Sequence, residues 1–334
     1  MGEVYLELEA ITPVFISGAD PKNIENEGIR PPSIRGLLRW WYRSLAGGMV
    51  NTAGQLLENE NKIFGSTKVK SPIKVISKTT DRPKKIEQSL FRSYPNYLLF
   101  SIKLQNDKKE RLQYYDKGSK FQVILQSEKD EELKIAAGAM WMLIYLGGIG
   151  ARNRRGFGCL KVTDFKQTGI ELPFNFINNA SNINNLKQYM EGSLREIYSL
   201  YKKQLNYNGT YNNINNYCIL NSSKLTLYKE ENDLNRLFDD FKNVYKNFRN
   251  SERNRNRNNL KFLGLPIKNL SGERFASPLT FGVIELSNRK YAGRIIRFYS
   301  STKEDKPEER NKLKALLERL RFEGEVDVNI PKVN

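Results

Sequence analysis

Three arginines recur at four-residue steps in residues 29–48, whose sequence is IRPPSIRGLLRWWYRSLAGG. This spacing places Arg35, Arg39 and Arg43 on one side of a predicted helix over residues 33–45. The opposite side is apolar and carries Leu37, Leu38, Trp41 and Leu45. The segment has no acidic residue, so the stripe has no ion-pair partner within its own helix. Because guanidinium groups bind phosphate strongly, the stripe predicts a phosphate track; the alternative is a basic outer face over buried tryptophans.

The other polar and small residues of this helix complete the first candidate site. Ser33 is expected to cap the helix, and Gly47 with Gly48 to end it. Trp40 lies between the basic and apolar faces, where its ring could stack on a base or plug an interface. Ser33, Gly36 and Trp40 are therefore counted with the three arginines as candidate contacts for a polynucleotide.

A second basic segment is the glycine-rich sequence GGIGARNRRGFG at residues 147–158. Glycine permits positive φ and close approach of the backbone to a ligand, and arginine supplies forked donors for phosphate. The segment lacks both the Gly-Lys-Ser/Thr ending of a Walker loop and a G-x-G-x-x-G fingerprint between strand and helix. It therefore predicts a loop that binds a polyanion backbone, with a flexible basic turn as the alternative. Its candidate contacts are Gly148, Gly150, Arg152, Asn153, Arg154 and Arg155.

The composition of the whole chain supports an anionic partner and restricts the possible chemistry. Fifty-five Lys and Arg stand against 37 Asp and Glu, which gives a formal charge of +18 over 334 residues. Such an excess repels itself unless an anion binds, and nucleic acid is the commonest such partner. Histidine is absent, which excludes Ser-His-Asp and Cys-His catalysis and histidine-ligated metals. We expect no cofactor and no metal.

The cysteines and the apolar segments predict a cytoplasmic protein. Cys159 and Cys218 are the only cysteines, and neither has a partner at metal-ligand spacing, so neither a zinc site nor a disulfide framework is expected. The N-terminal sequence has no signal-peptide pattern. The longest apolar run, residues 135–151, has three glycines near its end and predicts a buried helix rather than a membrane span.

The hydrophobic periodicity predicts the same order of elements twice. The first half has predicted strands and helices in the order βαββαβ, at residues 4–11, 33–45, 74–78, 121–125, 130–146 and 157–165. The second half repeats this order within residues 217–228, 232–248, 279–286, 291–299, 306–321 and 326–330. Two such runs predict an α+β fold of tandem ferredoxin-like domains, each an antiparallel sheet backed by two helices.

The predicted domains cover residues 1–168 and 211–334. Residues 169–210 between them are predicted as a linker with an Asn-rich stretch at 175–185, followed by an accessory helix over 186–205.

Several weaker candidates lie outside the two main segments. An arginine run interleaved with asparagine follows the helix predicted to end at residue 248; it favours a solvated loop, and the alternative is a nucleic-acid arm that orders on binding. Lys268 and Arg274 could continue the basic track. Asp20 lies in the loop after the first strand, but without a second carboxylate at useful spacing catalysis by Asp20 is not favoured. The arginines of the run are Arg249, Arg253, Arg255 and Arg257.

Taken together, these motifs resemble the RAMP superfamily of CRISPR effector subunits. The resemblance rests on the first strand, the segment 31–48, the FGS turn at 64–66 and the glycine-rich segment. The RGLLRWW helix and the sequence RFASPL at 274–279 are most similar to the family of the first-numbered subunit of the type III-B Cmr complex. The resemblance implies RRM-related ferredoxin-like folds, binding of crRNA near its 3′ end and other Cmr-type RAMP subunits as neighbours. It also implies a complex that cleaves target RNA through a different subunit.

The sequence contains no RNP1 pattern, so stacking of bases on the sheet face is not expected. Contacts to phosphates suit a guide-dependent complex, in which base pairing reads the sequence. We therefore expect a non-catalytic subunit that binds crRNA or target RNA. Two alternatives stay open: a metal-independent endoribonuclease with a Lys or Tyr base, and a basic scaffold that binds acidic protein neighbours.

Overall fold

The computed structural model describes residues 1–16, 18, 20, 24–25, 28–109, 112–209, 219–256, 258, 260, 263, 277–299 and 307–332. In chain order, the elements of these ranges are β1 (Gly2–Ala10), α1 (Pro31–Ala46), α2 (Ala53–Phe64), β2 (Lys74–Thr79), β3 (Lys84–Lys85), α3 (Gln88–Ser93), α4 (Asn96–Lys109), β4 (Gln113–Tyr114), β5 (Lys120–Ser127), α5 (Asp130–Tyr145), β6 (Leu160–Thr168), α6 (Ile183–Gln204), β7 (Lys224–Glu231), α7 (Leu234–Arg255), β8 (Leu279–Glu285), β9 (Tyr291–Arg297), α8 (Pro307–Glu318) and β10 (Val326–Val328).

Two four-stranded sheets organise the described chain. The first has the strand order β2-β5-β1-β6 and the second the order β10-β7-β9-β8. Every pairing in both sheets is antiparallel. When the strands of each four-stranded sheet are counted along the chain, the first and third lie at the centre and the second and fourth at the edges. This is the arrangement of a βαββαβ ferredoxin-like unit. The predicted α+β class with two ferredoxin-like sheets is confirmed.

Alternating burial along β1 shows how the first sheet acquires its core. Val4, Leu6 and Leu8 are buried and alternate with half-buried polar positions, as expected for a strand with one covered face. Helix α5 covers this face and begins with three acidic residues in the turn where the helix dipole favours them. The predicted buried helix is confirmed, and no helix within the described residues is long and apolar enough to cross a membrane.

Several elements were not predicted from the sequence, and one predicted helix cap is wrong. Helix α2 was not predicted; Thr52 caps it, accepting a hydrogen bond from the Gln55 amide at 3.2 Å. Helices α3 and α4 and the β3–β4 pair form an insertion between β2 and β5 that was also missed. The prediction that Ser33 caps α1 is wrong: the helix begins at Pro31, and Arg30 occupies the N-cap. Prolines at the first two helical positions have no amide hydrogen to satisfy and fix a helical φ.

The two halves share packed contacts, and the segment between them is part of the core. Helix α6 packs on α5, where a Cβ on Gly138 would lie 3.0 Å from the Ile197 side chain. One buried apolar cluster contains residues of both sheets, for example Leu6 and Leu225. The exact division at residues 168 and 210 stays a prediction.

Candidate nucleic-acid interface

The arginine stripe on α1 has an acidic partner from the neighbouring helix. Arg39 Nε contacts Glu60 Oε1, and Arg43 Nη1 lies 2.8 Å from the same oxygen and 3.0 Å from Oε2. The Glu60 side chain is 1% exposed, whereas those of Arg39 and Arg43 are about one quarter exposed, at 25% and 26%. The carboxylate that is missing from the segment of the stripe is therefore supplied by α2, a helix that was not predicted.

Arg39 is held by further contacts on α2 and beyond. Its Nη1 donates to the Gly65 carbonyl at 2.8 Å and its Nη2 to Asn61 Oδ1 at 3.1 Å. A buried carboxylate must be paired to remain charged, so Arg39 and Arg43 stabilise Glu60 and the packing of α1 on α2. One carboxylate between two guanidinium groups still leaves a single positive charge at this position.

Arg35 lies apart from this ion-pair cluster. Its Nη2 donates to the Ile73 carbonyl at 3.1 Å. The side chain lines a groove of about 970 Å³ whose wall also carries Lys62, Lys70 and Lys74. The groove is mainly cationic, although Glu128 and Glu132 also line it.

The rest of the predicted α1 site forms an open face that leads to the glycine-rich loop. Ser33 and Gly36 are exposed, and a Cβ on Gly36 would meet nothing within 4 Å. Trp40 is half-buried and packs edge-on against Trp41 at 4.8 Å and Phe298 at 5.9 Å between ring centroids. The guanidinium carbon of Arg154 lies 5.5 Å from the Trp40 ring centroid. The fold thus joins the two motifs that the sequence analysis identified separately.

Glycines of the loop accommodate the protein's own backbone rather than a ligand. A Cβ on Gly150, where φ is +80°, would lie 2.4 Å from the Phe15 carbonyl oxygen. A Cβ on Gly148 would lie 3.0 Å from the carbonyl oxygen of Gly158. Asn153 also bonds within the loop, donating from Nδ2 to the Gly148 carbonyl at 3.2 Å. Close packing within the chain therefore requires both glycines, and contact of Gly148 and Gly150 with a ligand stays a prediction.

The arginines of the loop contact carbonyl oxygens and aromatic rings. Arg154 Nη1 donates to the Ser277 carbonyl, and Arg155 Nη1 donates to the Leu279 carbonyl at 3.3 Å. Arg152 Nε donates to the Leu98 carbonyl at 2.6 Å. Within the described part of the chain, none of the three has a carboxylate partner, and all are half-buried. The uncompensated positive charge expected of the α1 stripe is thus found on the loop.

Arg152 has an unfavourable backbone conformation and an unfavourable electrostatic environment. Its φ is +64°, a left-handed backbone conformation that residues other than glycine rarely adopt. Burial and, to a smaller extent, the charge of Arg155 lower the pKa of Arg152 to about 10. An anion at this position would relieve the repulsion between the two guanidinium groups.

Helix α7 brings another arginine to the loop that the motif analysis did not connect with it. Arg249 Nη1 donates to the Tyr97 hydroxyl at 2.8 Å, and its guanidinium carbon lies 5.7 Å from the Tyr245 ring centroid. Arg155 lies over the same ring at 5.0 Å. No local pattern could place Arg249 there, since α4, α7 and the loop are distant in sequence.

The expectation of a solvated loop in the arginine run is wrong for the residues that the structure describes. Arg249, Arg253 and Arg255 belong to α7, which ends at Arg255 rather than near residue 248. Arg257, Lys268 and Arg274 lie outside the described residues. Asp20 is exposed, and the described residues contain no group of His, Cys, Asp or Glu side chains that could hold a metal ion.

A buried arginine of the second sheet fixes the base of the loop. Arg294 on β9 is 1% exposed and donates from Nη2 to the Gly147 carbonyl at 3.0 Å. The Phe281 amide of β8 donates to the Arg154 carbonyl at 3.1 Å. Residues of the second half therefore hold the backbone of the loop, and they also orient Arg154 and Arg155.

Comparison with known proteins agrees with this combination of fold and basic motifs. A model of the RAMP superfamily matches residues 7–161, which include the end of β1, α1 and the glycine-rich loop. The chain is 32% identical over 307 residues to the CRISPR system Cmr subunit Cmr1-1 of Pyrococcus furiosus, covering 89% of this chain and 87% of that protein. It is 40% identical over 185 residues to Cmr1-2 of the same organism, covering 48% of this chain and 96% of that protein.

Solved structures extend the likeness over nearly the whole chain. The crystal structure of apo Cmr1 from Pyrococcus furiosus matches with a TM-score of 0.72 and 29% identity, covering 98% of this chain and 99% of that one. A chain in the cryo-EM structure of the Type III-B Cmr-beta complex bound to cognate target RNA shares the fold, with a TM-score of 0.62 and 16% identity over 96% of this chain and 100% of that one. The chain belongs to the Cmr1 family of CRISPR system Cmr subunits, which confirms the resemblance found in the sequence.

Proposed function

We propose that this chain is a non-catalytic RNA-binding subunit of a type III-B Cmr effector complex. Its relatives are Cmr subunits, and a structure with the same fold is described as a Cmr complex bound to cognate target RNA. In this proposal the chain acts in the cytoplasm beside other Cmr-type RAMP subunits, near the 3′ end of the crRNA.

The observation that carries the proposal is the group of loop arginines without a carboxylate partner in the described structure. Arg152, Arg154 and Arg155 are already oriented by carbonyl oxygens and rings, so binding of a phosphate costs them little side-chain entropy. A chain of formal charge +18 adds long-range attraction for a polyanion. Such contacts fix the RNA backbone without reading its sequence, which suits a complex whose guide strand does the reading.

The α1 face supplies the approach to this loop in the proposed arrangement. Ser33, Gly36 and Trp40 leave an open strip that ends at Arg154. A backbone that follows the strip passes close to the helix at Gly36, where no side chain intervenes. Arg39 and Arg43, which share Glu60, contribute one net charge to the strip, whereas Arg35 extends the positive potential toward the neighbouring groove.

Chemistry supports the absence of catalysis in the proposal. The chain has no histidine, the side chain that most often performs general acid–base catalysis. Incubation of the pure protein with labelled repeat RNA, with and without a chelator, is expected to leave the RNA intact. Cleavage at a fixed position would instead favour an endoribonuclease.

RNA binding is tested with the full chain and a short fluorescein-labelled oligouridylate, titrated at several salt concentrations. For a single strand, the logarithm of the binding constant should fall against the logarithm of salt concentration by about 0.7 per neutralised phosphate. The double variant Arg154→Gln/Arg155→Gln should bind more weakly, with a slope smaller by about 1.4. The charge-preserving control Arg154→Lys/Arg155→Lys should retain most of the slope. A wild-type protein that does not bind the oligonucleotide at low salt would overturn the proposal.

A further inference from the structure

The loop arginines continue into a line of positive side chains along α7. Tyr245, Arg249 and Arg253 follow at four-residue steps and therefore share one face of the helix. The guanidinium groups of Arg155 and Arg249 both contact the Tyr245 ring, which therefore joins the loop to the helix. Among the described residues, neither Arg249 nor Arg253 has a carboxylate partner, and Arg253 is exposed. The charge of this line is thus open to an external anion.

Arg249 itself is an incompletely satisfied donor. Its Nη1 donates to the Tyr97 hydroxyl, but its Nε is buried and has no hydrogen-bond partner among the described residues. Buried polar atoms without partners are rare in proteins, and each one costs free energy unless a ligand or water completes it. The exposed Arg236, at the other end of α7, lies closer to a carboxylate: its Nη1 is 3.9 Å from Glu231 Oε2.

An exposed aromatic ring lies one helical turn from a residue that contacts this line. Phe100 on α4 lies one helical turn beyond Tyr97, the residue that Arg249 contacts, so the two side chains are neighbours on the helix surface. Phe100 is 61% exposed and is the only exposed Phe, Tyr or Trp among the described residues. Such exposure costs hydrophobic free energy in the isolated chain. A planar ring combined with guanidinium groups that have no carboxylate partner binds single-stranded nucleic acid through base and phosphate.

We infer that Phe100, Arg249 and Arg253 form a second RNA contact, in which a base stacks on Phe100 and phosphates bind the two arginines. This inference rests on the proposed function and extends it: the strand would pass from the α1 strip across the loop arginines to the surface between α4 and α7. RNA is favoured over an acidic protein because the aromatic ring adds a contact that every base can use whatever the sequence.

The test uses the full chain and the same labelled oligouridylate. Phe100→Ala is expected to weaken binding at least about fivefold, with an unchanged salt slope, because stacking carries no charge. Arg253→Gln should weaken binding and reduce the slope by about 0.7. The matched controls are Leu57→Ala, an exposed apolar side chain on α2 (55%), and Arg236→Gln, an exposed cation at the other end of α7. Both controls should bind like the wild type, and thermal unfolding should be unchanged for Phe100→Ala and Arg253→Gln.

Each other outcome has a distinct meaning. If the wild type binds RNA, the loop variant Arg154→Gln/Arg155→Gln binds weakly, and Phe100→Ala and Arg253→Gln bind like the wild type, the second contact is disproved while the proposed function stands. If the wild type does not bind at low salt, the proposed function fails. If the two variants keep full RNA affinity but lose co-assembly with neighbouring Cmr subunits, the surface binds protein, and the inference is overturned.

Discussion

The arginine stripe of α1 and the arginines of the glycine-rich loop have the same local character but different surroundings after folding. Each segment has three arginines and no acidic residue of its own. In the folded chain, Arg39 and Arg43 share the buried carboxylate of Glu60, whereas Arg154 and Arg155 bond to carbonyl oxygens. A backbone carbonyl orients a guanidinium group without cancelling its charge. The positive charge available to a ligand is therefore set by which elements pack on an arginine, not by its own segment.

The largest expected effect is a loss of stability when the arginines that pair with Glu60 are removed. In Arg39→Ala/Arg43→Ala, the Glu60 carboxylate loses both partners while it remains buried. We expect the free energy of unfolding to fall by about 3–5 kcal/mol, measured by urea denaturation. Adding Glu60→Gln should recover part of this loss, because it removes the unpaired charge. A double variant as stable as the wild type would show that the ion pairs do not hold α1 on α2.

A smaller loss is expected when the loop is forced to accept a side chain. Gly150→Ala places a methyl group against the Phe15 carbonyl in a left-handed backbone conformation, so the free energy of unfolding should fall by about 1–3 kcal/mol. The thermal midpoint measures this. If the variant keeps its stability but loses RNA affinity, the glycine would serve ligand approach, as the sequence alone suggested.

Substitution of the glycine on α1 should raise the free energy of unfolding instead of lowering it. Gly36→Ala adds a methyl group into open space in a helix interior and should stabilise the protein by about 0.5–1 kcal/mol. If RNA follows the open strip, the same methyl group should weaken RNA binding. A variant that is more stable and binds RNA like the wild type would place the strand elsewhere.

The smallest expected effect concerns a cation with two carboxylate partners, the reverse of Glu60. Lys161 Nζ lies 3.0 Å from Glu9 Oε1 and 2.9 Å from Glu285 Oε1. Burial lowers its pKa, but the hydrogen bonds to Glu285 and Glu9 outweigh this and leave the pKa raised. Its stabilising contribution is thus complete below the unfolded pKa of about 10.4 and is lost as pH rises through the higher folded value.

For a side chain that is 29% exposed, the contribution should stay below about 1 kcal/mol. The difference in unfolding free energy between wild type and Lys161→Met, followed by urea denaturation from pH 8 upward, should shrink only in strongly alkaline buffer. A difference that disappears near neutral pH would contradict this account.

The sequence predicted the fold better than the site for identifiable physical reasons. Alternation in β1 and the apolar face of α7 are local patterns, and they indicated the sheets and helices correctly. In helix α2 five polar residues, at 58–62, separate Leu56 and Leu57 from Ile63 and Phe64, and the helix was missed together with Glu60. The pairing of Arg39 with Glu60 and of Arg249 with Tyr97 joins residues 21 and 152 positions apart, which no periodicity reports.

Attachment of the glycine-rich loop to the second sheet limits how the molecule can be divided. The carbonyls of Gly147 and Arg154 are bound by Arg294 and by the Phe281 amide, both from the C-terminal half. A fragment that stops after β6 would keep every basic residue of the loop yet lack the donors that shape it. A truncated form of this protein would therefore keep the loop arginines but lose the contacts that position them.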